Sequence, residues 1–248
     1  MLSQQELIHY SRHIILPEID EAGQEKLKQS SVLIVGMGGL GSPVAMYLAA
    51  AGVGHLIIAD HDTVEQSNLQ RQIVHNLESI GDSKVSSAKT TLQNLNPWIK
   101  ITTIEQRLEA SLLDDAVANV DLVIDCSDNY LTRFALNKAC VGQSKTLVSG
   151  TAIRFKGQVA VFNQGPDSAC YQCLYQADNF NDESCEDQGI LAPVVGVVGS
   201  LQATEALKIL ISIGQRLDSR LLIYDALNTS FKTIGITKDP ACEICSHR

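Results

Sequence analysis

Four cysteines in two pairs, Cys170-Tyr-Gln-Cys173 and Cys242-Glu-Ile-Cys245, stand out as metal-binding chemistry. A Cys-x-x-Cys pair can bite one ion with both thiolates. Two pairs complete the four-sulfur tetrahedral shell of structural Zn²⁺. One ion would then pin the end of the chain onto its middle. A redox dithiol or ordinary buried cysteines are the competing readings, but a redox pair usually opens a helix in a small oxidoreductase fold and rarely comes twice.

A second constellation suits a nucleotide. Gly36-Met-Gly38-Gly39-Leu-Gly41 follows the apolar run Val32–Val35. Glycines let the backbone turn tightly and approach a phosphate, and a helix start supplies N–H groups and a positive dipole end. Asp60 ends the next apolar run, where a carboxylate can accept both hydroxyls of a ribose. These features alone do not separate NAD from ATP. Three more do. Ser67-Asn68-Leu-Gln-Arg71-Gln72 forms a polar cluster, Lys84 opens a helix, and Asp128-Asn129 follows the run Asp121–Asp125. Arg and Lys suit a triphosphate, and a carboxylate in the same crevice can hold Mg²⁺. No hydride-transfer site accompanies them.

The elements that must position these groups are legible as alternating strands and helices. Strands are expected at 32–35, 55–60, 101–104, 121–125 and 146–149, and helices at 42–51, 83–96 and 130–141. Ser3 and Glu6 form a capping box that opens a short first helix. Apolar strands alternating with helices imply an α/β, Rossmann-like doubly wound, mainly parallel sheet. After about Gly150 the pattern changes. Runs 157–162, 221–225 and 230–236 follow without intervening helices and are expected as antiparallel additions. The expectation is one domain, 1–248, with a nucleotide-binding half at 1–150 and an antiparallel, zinc-bearing half at 151–248. The acidic stretch 178–189 is expected as a mobile loop.

Composition narrows the classes. The net charge of −9, from 28 acidic and 19 basic residues, argues against broad nucleic-acid binding. Seven cysteines leave three outside the proposed metal, Cys126, Cys140 and Cys185, an odd set that fits a reducing compartment. Cys126 and Cys140 are expected in the core. The N-terminus has neither a basic nor an apolar signal region, so the expected location is cytoplasmic. The apolar run 190–213 carries Gln202, Glu205 and Lys208 as a polar stripe, which predicts a packed amphipathic helix rather than a membrane span.

As a set, these motifs, with Tyr10-Ser-Arg12-His and Gly199-Ser-Leu-Gln-Ala-Thr-Glu-Ala-Leu-Lys208, resemble the HesA/MoeB/ThiF adenylyltransferases of the ubiquitin-activating-enzyme superfamily. The resemblance covers nearly the whole chain. It implies ATP-dependent adenylation of a small ubiquitin-like sulfur-carrier protein ending in Gly-Gly, MoaD-like or ThiS-like, by a homodimer. Gly39 and Asp60 would hold ATP, with Ser67, Asn68 and Arg71 lining the nucleotide site and Lys84 neutralising phosphate charge. Asp128 would bind Mg²⁺ beside Asn129. Arg12 would reach the phosphates in the partner subunit. Cys170, Cys173, Cys242 and Cys245 would hold zinc. The segments 149–158 and 189–193 and the Cys-Glu-Ile-Cys ending are more similar to the molybdopterin branch. Tyr10-Ser-Arg and Glu105-Gln-Arg-Leu108 are more similar to the thiamine branch, where a cysteine matching Cys185 can link to the carrier. The balance favours molybdopterin. A nicotinamide oxidoreductase, a silent nucleotide-binding module and a tRNA-base-activating relative remain as alternatives.

Overall fold

The structure, a computed structural model, describes residues 1–175 and 189–247. The expected loop at 178–189 therefore lies outside the described residues, apart from Gly189, and so does Cys185.

Eight strands form one sheet: β1 Ser31–Val35, β2 His55–Ala59, β3 Lys100–Ile104, β4 Leu122–Asp125, β5 Thr146–Ile153, β6 Lys156–Phe162, β7 Arg220–Asp225 and β8 Ser230–Gly235. Their order is β3-β2-β1-β4-β5-β6-β7-β8. The first five are parallel and the last three join antiparallel. Both the doubly wound plan and its antiparallel extension thus match the expected fold. β5 runs past Gly150 and turns directly into β6, so parallel and antiparallel parts share one strand.

Helices named here are α1 Gln4–His9, α2 Ser11–Ile14, α3 Asp20–Gln29, α4 Gly41–Ala50, α5 Lys84–Leu95, α6 Ala110–Ala118, α7 Tyr130–Gly142, α8 Tyr171–Leu174 and α9 Ala192–Ile211. The predicted capping box is present: Ser3 N donates to Glu6 at 2.8 Å, and Glu6 N donates to Ser3 Oγ at 3.3 Å. Strand residues alternate between two cores, as a period of two requires. Val32, Ile34, Leu56, Ile58, Leu122 and Ile124 pack under α3, α4, α5 and α9. Leu33, Val35, Ile57 and Val123 pack under α6 and α7 with Leu113, Val117 and Leu136. Each fully buried aliphatic side chain contributes roughly 1.5–3 kcal/mol.

One helix differs from its sequence reading. The polar stripe of α9 does not face outward. Gln202 is fully buried and Glu205 is 5% exposed. Gln202 Nε2 donates to the Asp125 carbonyl at 2.8 Å, and Glu205 accepts from Leu217 N at 2.8 Å and from Lys208. Both polar groups are buried because tertiary partners satisfy them. The helix is long and apolar enough to cross a membrane, yet half of its most apolar window is buried inside the protein, against α4, β5 and β6.

Two glycines of α9 make opposite demands. A Cβ on Gly199 would lie 2.5 Å from Pro43 Cγ and 2.7 Å from the Leu40 carbonyl oxygen, whereas a Cβ on Gly196 meets nothing within 4 Å. Alanine is the better helix former by about 1 kcal/mol, but overpacking costs about 1–3 kcal/mol. Gly196→Ala is therefore expected to raise the urea midpoint, and Gly199→Ala to lower stability by about 1–2 kcal/mol. Equal shifts in the two variants would contradict this packing.

Candidate active site and metal centre

In this sheet β1 lies between β2 and β4, so the chain leaves β1 in one direction and β4 in the other. A crevice opens at the carboxyl ends of such strands. Here it is a cavity of about 510 Å³ lined by residues from the β1, β2 and β4 ends, the 65–72 segment and Lys84. Gly36, Gly38, Gly39, Asp60, Ser67, Asn68, Arg71, Lys84, Asp128 and Asn129 all line it. Gly41 starts α4 behind them.

Backbone crowding explains the first and last of these glycines. Gly36 has φ +95°, and a Cβ there would lie 2.6 Å from the Cys126 carbonyl oxygen. A Cβ on Gly41 would lie 1.9 Å from the Gly36 carbonyl oxygen. Any side chain at either position would force the turn apart. Two neighbouring side chains grip the loop from outside. Asp60 Oδ2 accepts from Met37 N at 2.6 Å, and Asp60 Oδ1 accepts from Asp62 N at 2.9 Å. His75 Nε2 lies 3.0 Å from the Met37 carbonyl and Nδ1 lies 2.8 Å from Ser87 Oγ. The carbonyl can only accept, so Nε2 carries the proton and Nδ1 accepts from the serine.

The positive groups are held differently. Lys84, only 7% exposed, pairs with Asp62 at 2.9 Å. Burial opposes ionisation of Asp62, but the Lys84 ammonium outweighs it, and the carboxyl sits below its ordinary value. Arg71 donates to the Ser67 carbonyl at 3.2 Å. Asn68 is buried and closes the turn by accepting from Glu65 N at 3.2 Å.

Below the crevice floor lies a buried polar network. Asp125 Oδ1 accepts from Ser127 N at 3.0 Å and Ser127 Oγ at 2.6 Å, and Oδ2 accepts from Ser149 Oγ at 2.7 Å. Arg133 donates to the Ser127 carbonyl at 2.8 Å, with its Nε 3.9 Å from Asp125. This fixes the 125–127 turn and leaves Asp128 exposed at the cavity, where its carboxylate is available to a cation. Asn129 is differently occupied, because its Oδ1 caps α7 by accepting from Thr132 N at 2.9 Å. Asp60, His61 and Asp62 also lie close enough to share an ion. Asp60 already accepts from two backbone N–H groups and keeps further lone pairs, whereas among the described residues no backbone N–H donates to the exposed Asp128 carboxylate.

Arg12 lies elsewhere. It is exposed on α2, in a second cavity of about 320 Å³ with Tyr47, Ser200 and Thr204. The single chain does not bring it to the crevice. Sequence reasoning missed Asp62, His75, Asp125 and Arg133. Asp62 had a signal, its place just beyond the carboxyl end of β2. His75 and Arg133 had none, since each is defined by a contact across the fold.

The four cysteines do converge. Sulfur separations are 3.8 Å for Cys170–Cys173, 3.6 Å for Cys170–Cys242 and 3.4 Å for Cys173–Cys245. All four sulfurs lie within 4.8 Å of one another. Zn–S bonds of about 2.3 Å in a tetrahedron require sulfurs about 3.8 Å apart. A disulfide would need about 2.0 Å. The set fits a tetrahedral metal, and the Asp239 amide donates to Cys173 Sγ at 3.4 Å, a contact suited to a thiolate. Cys126 and Cys140 are buried, as expected of core residues.

His75 supplies a pH test. Burial is the main cause that lowers its pKa, and the Met37 carbonyl offsets only part. The unfolded chain, with a histidine pKa of about 6.5, binds the proton first as pH falls. The contribution is therefore complete above about pH 6.5 and is lost as pH drops below it, at no more than about 1.4 kcal/mol per pH unit. The fall in urea midpoint between pH 7 and pH 5 is expected to be shallower in His75→Ala than in the unaltered protein. A parallel fall would contradict the buried neutral ring.

Solved structures share the fold: E. coli MccB with ATP superposes with a TM-score of 0.81 at 22% identity, covering 96% of this chain and 73% of that one. A molybdopterin-synthase adenylyltransferase of Escherichia coli K12 is 45% identical over 244 residues, covering 98% of both chains. The SAMP-activating enzyme E1 of Haloferax volcanii is 42% identical over 246 residues, covering 98% of this chain and 90% of that protein. The ThiF family matches residues 10–244, and with that span and those identities this chain belongs to the ThiF family.

Proposed function

We propose that this protein adenylates the C-terminal glycine carboxylate of a small ubiquitin-like sulfur carrier ending in Gly-Gly, releasing pyrophosphate. The carrier is that of molybdopterin synthase, and the enzyme works as a cytoplasmic homodimer. The carrying observation is the full-length 45% identity to a molybdopterin-synthase adenylyltransferase, in a chain whose crevice gathers Gly39, Asp60, Arg71, Lys84 and Asp128. The thiamine-branch features are confined to short segments.

The chemistry needs no general base, because a carboxylate is already anionic at neutral pH. A carboxylate oxygen attacks the α-phosphorus of ATP. The bond from that phosphorus to the bridging oxygen breaks, and the electron pair leaves with pyrophosphate. The obstacle is bringing one anion to another, so the protein must position and neutralise. Asp60 is set for the ribose, the glycine loop for the phosphates, and Arg71 and Lys84 for their charge. Asp128 would hold Mg²⁺, which neutralises phosphate oxygens when bound. Arg12 would act on the partner subunit's nucleotide, which accounts for its absence from its own crevice. The reaction ends at the acyl-adenylate and calls on no thiol, Cys185 included. Zinc in the four-cysteine site would tie the 239–245 segment to α8.

Carrier-dependent ATP–pyrophosphate exchange tests this reading, using one carrier of the molybdopterin type and one of the thiamine type. Exchange with the first alone is expected. Exchange with the second alone would transfer the protein to the thiamine branch, and exchange with neither would end the adenylation reading.

Within that assay, Asp128→Ala should abolish exchange while circular dichroism and melting stay unchanged. Lys84→Ala should lower kcat/KM by about 10–150-fold, the worth of one charge-assisted contact of about 1.5–3 kcal/mol. Normal turnover in Asp128→Ala would remove it from the cation site. Metal analysis should find one zinc per chain, and Cys245→Ser should lose it and expose the C-terminal segment to protease. A zinc-free, protease-resistant native protein would contradict the metal clip.

A further inference from the structure

The platform that carries Arg12 is anchored by a contact the proposed reaction does not itself use. Tyr10 is the junction of α1 and α2. Its N–H donates to the Glu6 carbonyl at 2.8 Å, ending α1, and its own carbonyl accepts from His13 and Ile14 at 2.9 and 3.0 Å, starting the turn that contains Arg12. The side chain is 4% exposed. Its ring fills a notch that only glycine leaves open: Gly52 has φ +83°, and a Cβ there would lie 2.5 Å from Tyr10 Cζ. The phenol oxygen accepts from Asn96 Nδ2 at 2.8 Å. Asn96 is wholly buried and also donates to the Ala49 carbonyl at 2.7 Å, while its Oδ1 accepts from Trp98 N at 3.1 Å. One amide thus joins the ends of α4 and α5 to the α1–α2 junction. His9 packs edge-on against Trp98 at 5.1 Å beside it.

Two residues on, the Arg12 side chain is exposed at the mouth of the second cavity. A free guanidinium samples many rotamers, and fixing such a side chain costs conformational entropy. Ordering its backbone is a separate cost, and that one the fold can remove in advance. The geometry points to Tyr10, locked by Asn96 and seated on Gly52, as a positioning residue that sets Arg12 for the active site of the other subunit. This rests on the reading of Arg12 as acting across a homodimer.

The consequence is a defect that appears in the partner's site and not in the variant's own. Mixed dimers, purified through two different affinity tags, read it by carrier-dependent pyrophosphate exchange. In the first, one copy carries Tyr10→Ala and the other Asp128→Ala. The intact crevice then belongs to the Tyr10→Ala copy and is served by an unaltered Arg12 platform. About half the activity of the unaltered dimer is expected. In the second, both changes sit on one copy, and the intact crevice is served by the loosened platform. Its kcat is expected to be at least about tenfold lower than that of the first. Equal activity in the two arrangements would overturn the proposal, since a general loss of stability is indifferent to which copy carries Asp128→Ala. Should Tyr10→Ala fail to give a stable dimer, Tyr10→Phe keeps the ring in the notch and removes only the hydroxyl. The same asymmetry of about threefold or more is then expected, and its absence would overturn the proposal equally. The parallel pair with Arg12→Ala separates the two layers. Asymmetry for Arg12 without asymmetry for Tyr10 rejects the positioning role alone. Symmetry for both rejects the cross-subunit reading beneath it.

Discussion

The backbone at Gly36 passes so close to the end of β4 that a single methyl group would lie 2.6 Å from the Cys126 carbonyl oxygen. Much of the crevice follows from that contact. It brings the glycine loop of β1 against the 125–128 turn of β4, which puts Gly38, Gly39 and the Asp128 carboxylate at one cavity. The loop is then gripped from the β2 side, where Asp60 holds the Met37 amide and His75 its carbonyl. A loop fixed by its own backbone groups loses little order when a nucleotide arrives, and preorganisation of that kind is where binding and rate are gained.

The long helix α9 closes the same construction from behind. It begins about 150 residues after the glycine loop, yet Val195 abuts Gly39 and Gln202 holds the Asp125 carbonyl. The buried Asp125–Arg133 pair with its two serines sits beneath the same turn. Buried charges are tolerable there because hydrogen bonds occupy the carboxylate, and such a network rigidifies what it touches. The floor of the crevice is therefore stiff, while Asp128, one residue beyond, stays exposed.

The two outlying devices serve the frame. The four cysteines bring the 242–245 segment against the start of α8, with sulfur spacings that fit a tetrahedral metal. At the other end, the Tyr10–Asn96 contact ties two short helices to the body of the fold. Helices of six and four residues are not stable alone. Their position depends on that tertiary tie.

The sequence by itself determined the strands, the parallel-to-antiparallel change after Gly150 and those crevice residues that sit in local motifs, among them Gly36, Gly39, Asp60, Arg71 and Asp128. These are carried by local signals: apolar runs of strand length, glycines at a turn, a carboxylate at a strand end and cysteine pairs two apart. It also marked each Cys-x-x-Cys pair as a two-thiolate ligand, since spacing within a pair is a local property; that the two pairs meet across 72 residues is tertiary. Only the tertiary structure decided that the polar stripe of α9 points inward, because the reading depends on what lies across from Gln202 and Glu205. It decided likewise that Lys84 is paired with Asp62, that His75 is a loop clamp and that Arg12 is remote from its own crevice. Each of these is a relation between residues far apart in the chain, and periodicity and spacing carry no information about such relations.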